Sequence, residues 1–350
     1  MAPHRPTSHR VRDLAEQSGL SEATIDRVLH GRPGASPRAV RAVEQAMLDL
    51  DRQQTQLRLA ARTLVLDVVI QAPSRFSSAV RTALEEELPA LRPAAVRARF
   101  HLRENADVDA AVDVLDGLGR RGRVCHGVVL KAPDDPRVAA AVARLSARGI
   151  PVVTLVTDVR DSARVAYVGL DNAAAGATAA YLVTKVLGDR HGDVLLTLSR
   201  SSFFGERERA EAFTAALTRL APDRRVHTIT DSDGLDATMS ALVSDLLAAQ
   251  PDVCAVYSIG GGNHAIAETF AAAARPTTVF IAHDLDQDNV ELLRAGAITA
   301  VLHHDLHSDM RAGVRQVLRA HRLLRGAPTS VAANVEVVTA YNIPPRVQAH

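Results

Sequence analysis

The chain has 350 residues, 47% of them hydrophobic but only 3% aromatic, and it contains no Trp. That length suggests two or three units, with interiors built from Ala, Val, Leu and Ile, which suits α/β layers better than an aromatic-rich β fold. The net charge of +1 excludes a polycation, yet residues 1–63 carry ten Arg against seven acids, a local surplus of +3, and residues 64–350 carry 31 basic against 33 acidic side chains.

Residues 11–31 read as two short helices around a tight turn. Val11, Leu14 and Ala15 fall at helical spacing, as do Ile25, Val28 and Leu29. Gly19 supplies a positive-φ turn residue, Ser21 is an N-cap for the second helix, and the small Ala15 lets the helices approach. This is the pattern of a helix-turn-helix. Glu22, Ala23, Asp26 and Arg27 form a polar outer face suited to reading base edges. Ser36-Pro37 then opens a third helix, with Val40, Val43, Met47 and Leu50 on one face. Residues 1–51 are therefore expected to be an all-α DNA-binding head. Residues 52–63 are polar and basic without an amphipathic face and read as a linker, marginally helical in isolation.

From residue 64 onward, apolar runs of strand length alternate with helical patterns. Strands are expected at 64–70, 96–102, 127–130, 152–155, 165–168, 193–198, 226–230, 253–258, 278–282, 298–302 and 335–339. Strands buried on both faces and followed by helices imply parallel sheets with right-handed crossovers. Two doubly wound lobes result, with a cleft at the carboxyl ends of the strands. The expected division of residues 64–344 is 64–167 plus 297–326 for one lobe and 168–296 plus 327–344 for the other. Cys125 and Cys254 lie in apolar runs, as reduced core thiols of a cytoplasmic protein do. Met1–Val11 lacks the apolar core of a signal peptide, and no uncharged run approaches the roughly 18 residues of a membrane span. The expectation is a cytoplasmic protein with no membrane partner.

The stretch Val11-Arg12-Asp13-Leu14-Ala15…Gly19-Leu20-Ser21…Thr24-Ile25-Asp26-Arg27-Val28-Leu29-His30-Gly31 resembles the head of lac-repressor-type (LacI/GalR) transcription regulators. Gly149–Thr154, Val168–Gly176, Arg207–Phe213 and Val337–Pro344 resemble landmarks of their core, which shares its fold with periplasmic sugar-binding proteins. The resemblance implies a homodimer or tetramer that binds operator DNA and responds to a small sugar or polyol. It places Glu22, Ala23 and Arg27 at base-reading positions and Ser21 and Thr24 at phosphate contacts. Chemically, Arg27 can donate a bidentate pair to guanine and Glu22 can accept from cytosine N4. The Pro-Asn pair usual in the family's hinge is replaced by Gln54-Thr55, and Leu57 or Leu59 is the candidate minor-groove wedge.

For the ligand, the resemblance places Arg209 and Asp284 at hydroxyl-gripping positions, His304 where a Gln or Asp often sits, and Ser74-Arg75-Phe76 where a stacking aromatic follows the first strand. A guanidinium, a carboxylate and a ring face suit a polyol. Lys131 and Asp158 also stand at strand ends. Ser258-Ile259-Gly260-Gly261-Gly262-Asn263-His264-Ala265 follows a strand and opens a helix. It matches a dinucleotide fingerprint with Asp284 about 20 residues on, so an NAD-dependent oxidoreductase is the alternative, with an unregulated sugar-binding protein a third reading. The favoured account has these glycines bring backbone amides and Asn263 to the ligand. No cofactor, metal or catalytic function is expected, His303, His304, His307 and Asp305 reading as a solvated loop cluster.

Overall fold

A computed structural model describes residues 9–60, 63–91, 94–104, 107–230 and 232–345, with the side chains of residues 56 and 58–60 excepted. The chain forms two compact units, Met1–Leu64 with Leu91–Val96, and Val65–Ala90 with Arg97–His350.

The first unit holds α1 (Val11–Ser18), α2 (Glu22–Leu29) and α3 (Pro37–Ala60). Gly19 ends α1 at φ +68°, and the Ser21 hydroxyl accepts the Thr24 amide at 3.3 Å, capping α2. Leu14, Ile25, Val43 and Ala46 are buried against one another, ringed by Val11, Ala15, Leu20, Val28, Leu29, Met47 and Leu50. Four buried side chains are a small core; the apolar spacing in the sequence marks Leu14, Ile25 and Val43, and Ala46, three residues on from Val43, joins them. The linker expected at 52–63 is corrected: α3 continues to Ala60. No Gly or Pro interrupts residues 38–60, and the Thr55 hydroxyl is absorbed by the Asp51 carbonyl at 2.8 Å, so nothing stops the helix.

The second unit is two α/β lobes. The first sheet has the order β11-β5-β4-β3-β1-β2, from β1 (Thr63–Gln71), β2 (Ala95–Arg103), β3 (Gly127–Lys131), β4 (Val152–Leu155), β5 (Ala166–Leu170) and β11 (Val331–Ala333). The second has the order β12-β10-β9-β8-β6-β7, from β6 (Asp193–Thr197), β7 (Val226–Ile229), β8 (Val253–Ser258), β9 (Val279–His283), β10 (Ala300–His303) and β12 (Glu336–Val338). The remaining helices are α4 (Ser74–Glu87), α5 (Val108–Gly117), α6 (Pro136–Ala147), α7 (Asn172–Leu187), α8 (Phe204–Leu220), α9 (Asp236–Ala249), α10 (Asn263–Ala272), α11 (Gln287–Arg294) and α12 (Leu306–Ala320).

Strands such as β3 and β9 are buried along their whole length, because helices cover both faces. Asp107, Asp135, Asp171, Asp286 and Asp305 each cap the helix that follows by accepting a backbone amide. The strand-to-helix turn is thus repeatedly written as an aspartate.

The lobe boundaries differ from expectation. β10 pairs with β9 in the second sheet, although 297–326 was assigned to the first lobe. α12 does pack on the first lobe, against α4, β4 and β5. β11, unforeseen in the sequence, joins the first sheet beside β5, and β12 runs antiparallel to β10. The chain therefore crosses between lobes after β5, after β10 and between β11 and β12. Cys125 and Cys254 are half-buried free thiols, and burial pushes Cys125 up to about 12. Among the described residues, no helix is long and apolar enough to cross a membrane.

Candidate functional site

A cleft opens between the lobes at the carboxyl ends of their strands, where ligands of open α/β sheets bind. The first lobe contributes Arg75, Phe76, Lys131 and Thr157. The second contributes Phe203, Glu206, Arg209, Asn263, His283, Asp284, Asp286, Asn289 and His303. Three cations thus face three carboxylates.

Arg209 is only 3% exposed. Its Nε donates to Asn172 Oδ1 at 2.8 Å, and among the described residues no hydrogen bond takes its terminal nitrogens. α7 and α8 can approach this closely because a Cβ at Gly176 would lie 2.1 Å from the Arg209 carbonyl. Asp284 follows β9 with φ +65°, a conformation costly for a non-glycine residue. Asn289 holds it there, its Nδ2 donating to the carbonyls of Asp284 (2.6 Å) and His283 (2.9 Å).

Lys131 ends β3 and is almost fully buried. Its Nζ donates to the Gln71 carbonyl at 3.2 Å and lies 3.9 Å from the Phe203 ring centroid and 5.4 Å from that of Phe76. Burial pulls its pKa down to about 8, against the attraction of Glu206 and Asp284. Glu206 is held by the Ser199 amide (2.8 Å) and hydroxyl (2.6 Å). His283 is buried with Nε2 on the Tyr257 hydroxyl at 2.7 Å, and burial keeps its pKa well below the usual value, so the ring is neutral.

Arg75 crosses the cleft. Its Nε lies 3.1 Å from Asp286 Oδ2, and its other nitrogens donate to the carbonyls of Gly234 (3.1 Å) and Gly260 (3.5 Å). This explains the glycine turn before α10. A Cβ at Gly261 would lie 1.7 Å from Arg75 Nη2, and one at Gly260 would lie 2.0 Å from the Ser199 amide nitrogen. The turn that resembled a dinucleotide loop is filled by the protein's own guanidinium and backbone. Burial lifts Asp286 to about 6, with the nearby Arg75 opposing that rise.

Of the ligand residues expected from the sequence, Arg75, Phe76, Lys131, Arg209, Asn263 and Asp284 meet in the cleft. Three do not. Ser74 is exposed and its amide donates to Glu104 Oε1 at 3.1 Å. Asp158 is consumed by Arg164, at 2.5 Å to each oxygen, and by the Thr154 hydroxyl at 2.7 Å. His304 is buried behind Asp284, with Nδ1 on Asp309 at 2.5 Å and Nε2 3.8 Å from Asp284 Oδ1, and its neighbour His303 lines the cleft instead. His307 bonds Glu86 at 2.9 Å, and among the described residues no cluster of His, Cys, Asp or Glu is arranged to hold a metal. The sequence reading missed Phe203, Glu206, Asp286 and Asn289. Asp286 reads as a helix cap, which it also is, and the spacing Asp284–Asp286–Asn289 after a buried strand is the signal that marks the cluster.

In the first unit, Ser21, Glu22, Ala23 and Arg27 are exposed and Thr24 is half-buried. Arg32 Nη1 bonds Asp26 at 2.8 Å, which neutralises that part of the face. Leu57 is 72% exposed on α3, and the side chain of Leu59 lies outside the described residues.

Comparison with known proteins agrees with the two-lobed geometry. A 29% identical relative over 219 residues, 61% of this chain, is described as an uncharacterized HTH-type transcriptional regulator in the aml 5′ region of Streptomyces limosus. The chain spans about 60% of the length of that relative. Among solved structures, GanP, a glucose-galactose binding protein from Geobacillus stearothermophilus, superposes with TM-score 0.71 at 18% identity, covering 81% of this chain and 99% of its own. A solute-binding protein of an ABC transporter from Burkholderia graminis C4D1M, in complex with D-arabinose, gives 0.72 at 20% identity over 81% and 97%. One from Agrobacterium vitis with bound D-fucose gives 0.68 at 20% identity over 82% and 99%. The periplasmic binding protein domain matches residues 68–325, and the chain belongs to that family.

Proposed function

We propose that this protein is a lac-repressor-type, DNA-binding transcription regulator whose operator affinity is set by a small sugar or polyol held between its two lobes. The observation that carries the reading is the pairing, in one chain, of a three-helix unit exposing Glu22, Ala23 and Arg27 with a cleft that sets Arg75, Lys131 and Arg209 against Glu206, Asp284 and Asp286. A cleft with balanced charge suits a neutral molecule rich in hydroxyls, because cations donate and carboxylates accept charge-assisted hydrogen bonds without requiring a counter-charge on the ligand. The rings of Phe76 and Phe203 supply apolar wall for the C–H faces of a sugar.

In this reading the N-cap region of α2 lies on the DNA backbone through Ser21 and Thr24, Glu22, Ala23 and Arg27 read bases, and Leu57 is the minor-groove wedge. The active species is a cytoplasmic homodimer or tetramer, most simply a repressor. Ligand acts by its different affinity for two lobe arrangements, the only way a ligand can shift such an equilibrium. The sugars named for structural relatives define the first screen. A thermal-shift series with D-glucose, D-galactose, D-arabinose and D-fucose, followed by polyols, is expected to give at least one concentration-dependent stabilisation. A mobility-shift assay with the upstream DNA is expected to give a specific complex in about 0.1 M salt, weakened by roughly 1–3 kcal/mol in Arg27→Ala. A flat sugar screen together with no specific complex contradicts the proposal.

A further inference from the structure

Of the 41 basic side chains, only Lys131 and Lys185 are lysines; the rest are arginines. Lys185 is exposed on α7, with Nζ 5.6 Å from the Tyr181 ring centroid. Lys131 is 8% exposed on the floor of the cleft. A chain that uses arginine almost everywhere thus places one of its two side-chain amines where the ligand would lie. The two groups differ chemically: a guanidinium stays charged, whereas a buried ammonium gives up its proton and becomes a nucleophile.

Burial favours that change: Lys131 is almost fully buried and among the described residues has no carboxylate within ion-pair distance, which outweighs the Phe203 ring and the Gln71 carbonyl, both of which favour the ammonium. With a pKa of about 8, about a tenth of the molecules carry the neutral amine at pH 7, against well under a thousandth for a solvated lysine. The aromatic walls also limit water, which favours loss of water in a condensation.

We infer that Lys131 condenses reversibly with the carbonyl group of an open-chain sugar or other small hydroxyaldehyde in the cleft, a step that rests on the sugar-binding reading above. The Nζ lone pair adds to the carbonyl carbon, forming a C–N bond as the C=O π bond breaks. The C–O bond then breaks, and the oxygen leaves as water with both amine protons, giving an imine. Nothing is oxidised or reduced. The ligand class is thereby narrowed to molecules with a free carbonyl, as opposed to alditols and glycosides.

The test uses the full chain with D-glyceraldehyde and cyanoborohydride at pH 7, read by peptide mass spectrometry. Exposure alone directs labelling to Lys185, so the two lysines are opposed internal controls. The inference expects the reduced adduct at Lys131 to accumulate about tenfold faster than at Lys185, and to vanish in Lys131→Arg. Equal or faster labelling of Lys185, or an unlabelled Lys131, overturns it, and neither outcome depends on a variant folding. A thermal response to a sugar without an adduct at Lys131 overturns the condensation and leaves sugar binding standing. An adduct at Lys131 with no thermal response to any sugar marks a reactive amine only and overturns the inference together with the sugar reading.

Discussion

Asp67 and Asp284 are carboxylates of the same two-lobed unit with opposite surroundings. Asp67, in the middle of β1, is fully buried and closed off by Arg99 Nε (2.9 Å), Arg99 Nη2 (2.6 Å) and His101 Nε2 (2.9 Å). Burial alone would raise its pKa, yet the hydrogen bonds from His101 and Arg99 bring it down to about 2. Asp284 is 31% exposed, strained at φ +65°, and has the His304 ring nitrogen Nε2 3.8 Å from its Oδ1. Around it, among the described residues, Asn263 Oδ1, His283 Nδ1 and His304 Nε2 are buried with no hydrogen-bond partner. Unmet donors and acceptors are costly in a folded protein. Where charge serves the fold, it is paired to completion; in the cleft, the protein tolerates open valences and backbone strain that a polar ligand can relieve.

That contrast can be broken from either side. The largest effect on stability is expected for Asp67→Ala, which strands Arg99 and His101 and costs about 3 kcal/mol in urea unfolding. It should leave sugar affinity unchanged, and equal losses in both would erase the distinction between the two clusters. Arg209→Ala should weigh on the ligand instead, lowering sugar affinity by roughly 1.5–3 kcal/mol in calorimetry, with a smaller loss of stability of about 1 kcal/mol from the Asn172 Oδ1 left unpaired. A smaller effect separates Asp67 from Asp286 by pH. The folded pKa of Asp67 is depressed, so its contribution is present above about pH 4 and is lost as pH falls towards 2. The folded pKa of Asp286 is raised to about 6, so its ionisation weakens the fold between about pH 4 and 6 and acid relieves that cost. Between pH 7 and 4, the melting temperature of wild type relative to Asp286→Asn should therefore rise by a few °C. A fall over the same range contradicts the assignment.

The α/β alternation was legible because strands covered on both faces are written as unbroken apolar runs, as in Val128-Val129-Leu130 and Phe280-Ile281-Ala282. Lobe membership was not. β10 and α12 are separated by only two residues yet belong to different lobes, and no local propensity reports a crossover. Lys131 and Asp284, charged residues at strand ends in the cleft, were legible in sequence while Asp286 was not, and Asp158 and His304 carry the same signal and spend it on Arg164 and Asp309. Pairing in the folded chain, here with residues six and five positions on, decides between a ligand contact and a structural one, and composition at a single position does not encode it. The end of α3 is hidden in the sequence for a different reason. Polar side chains at 52–55 lack an amphipathic face, but a helix already running needs only the absence of a breaker.

In the proposed function, one chain couples a sugar in the cleft to DNA at α2. Fluorescence anisotropy of a labelled operator, titrated with the full chain with and without the sugar found by thermal shift, tests it most directly. The account predicts a 5–150-fold change in operator Kd, about 1–3 kcal/mol of coupling, abolished in Arg209→Ala. A sugar that binds the cleft while leaving operator affinity unchanged contradicts it.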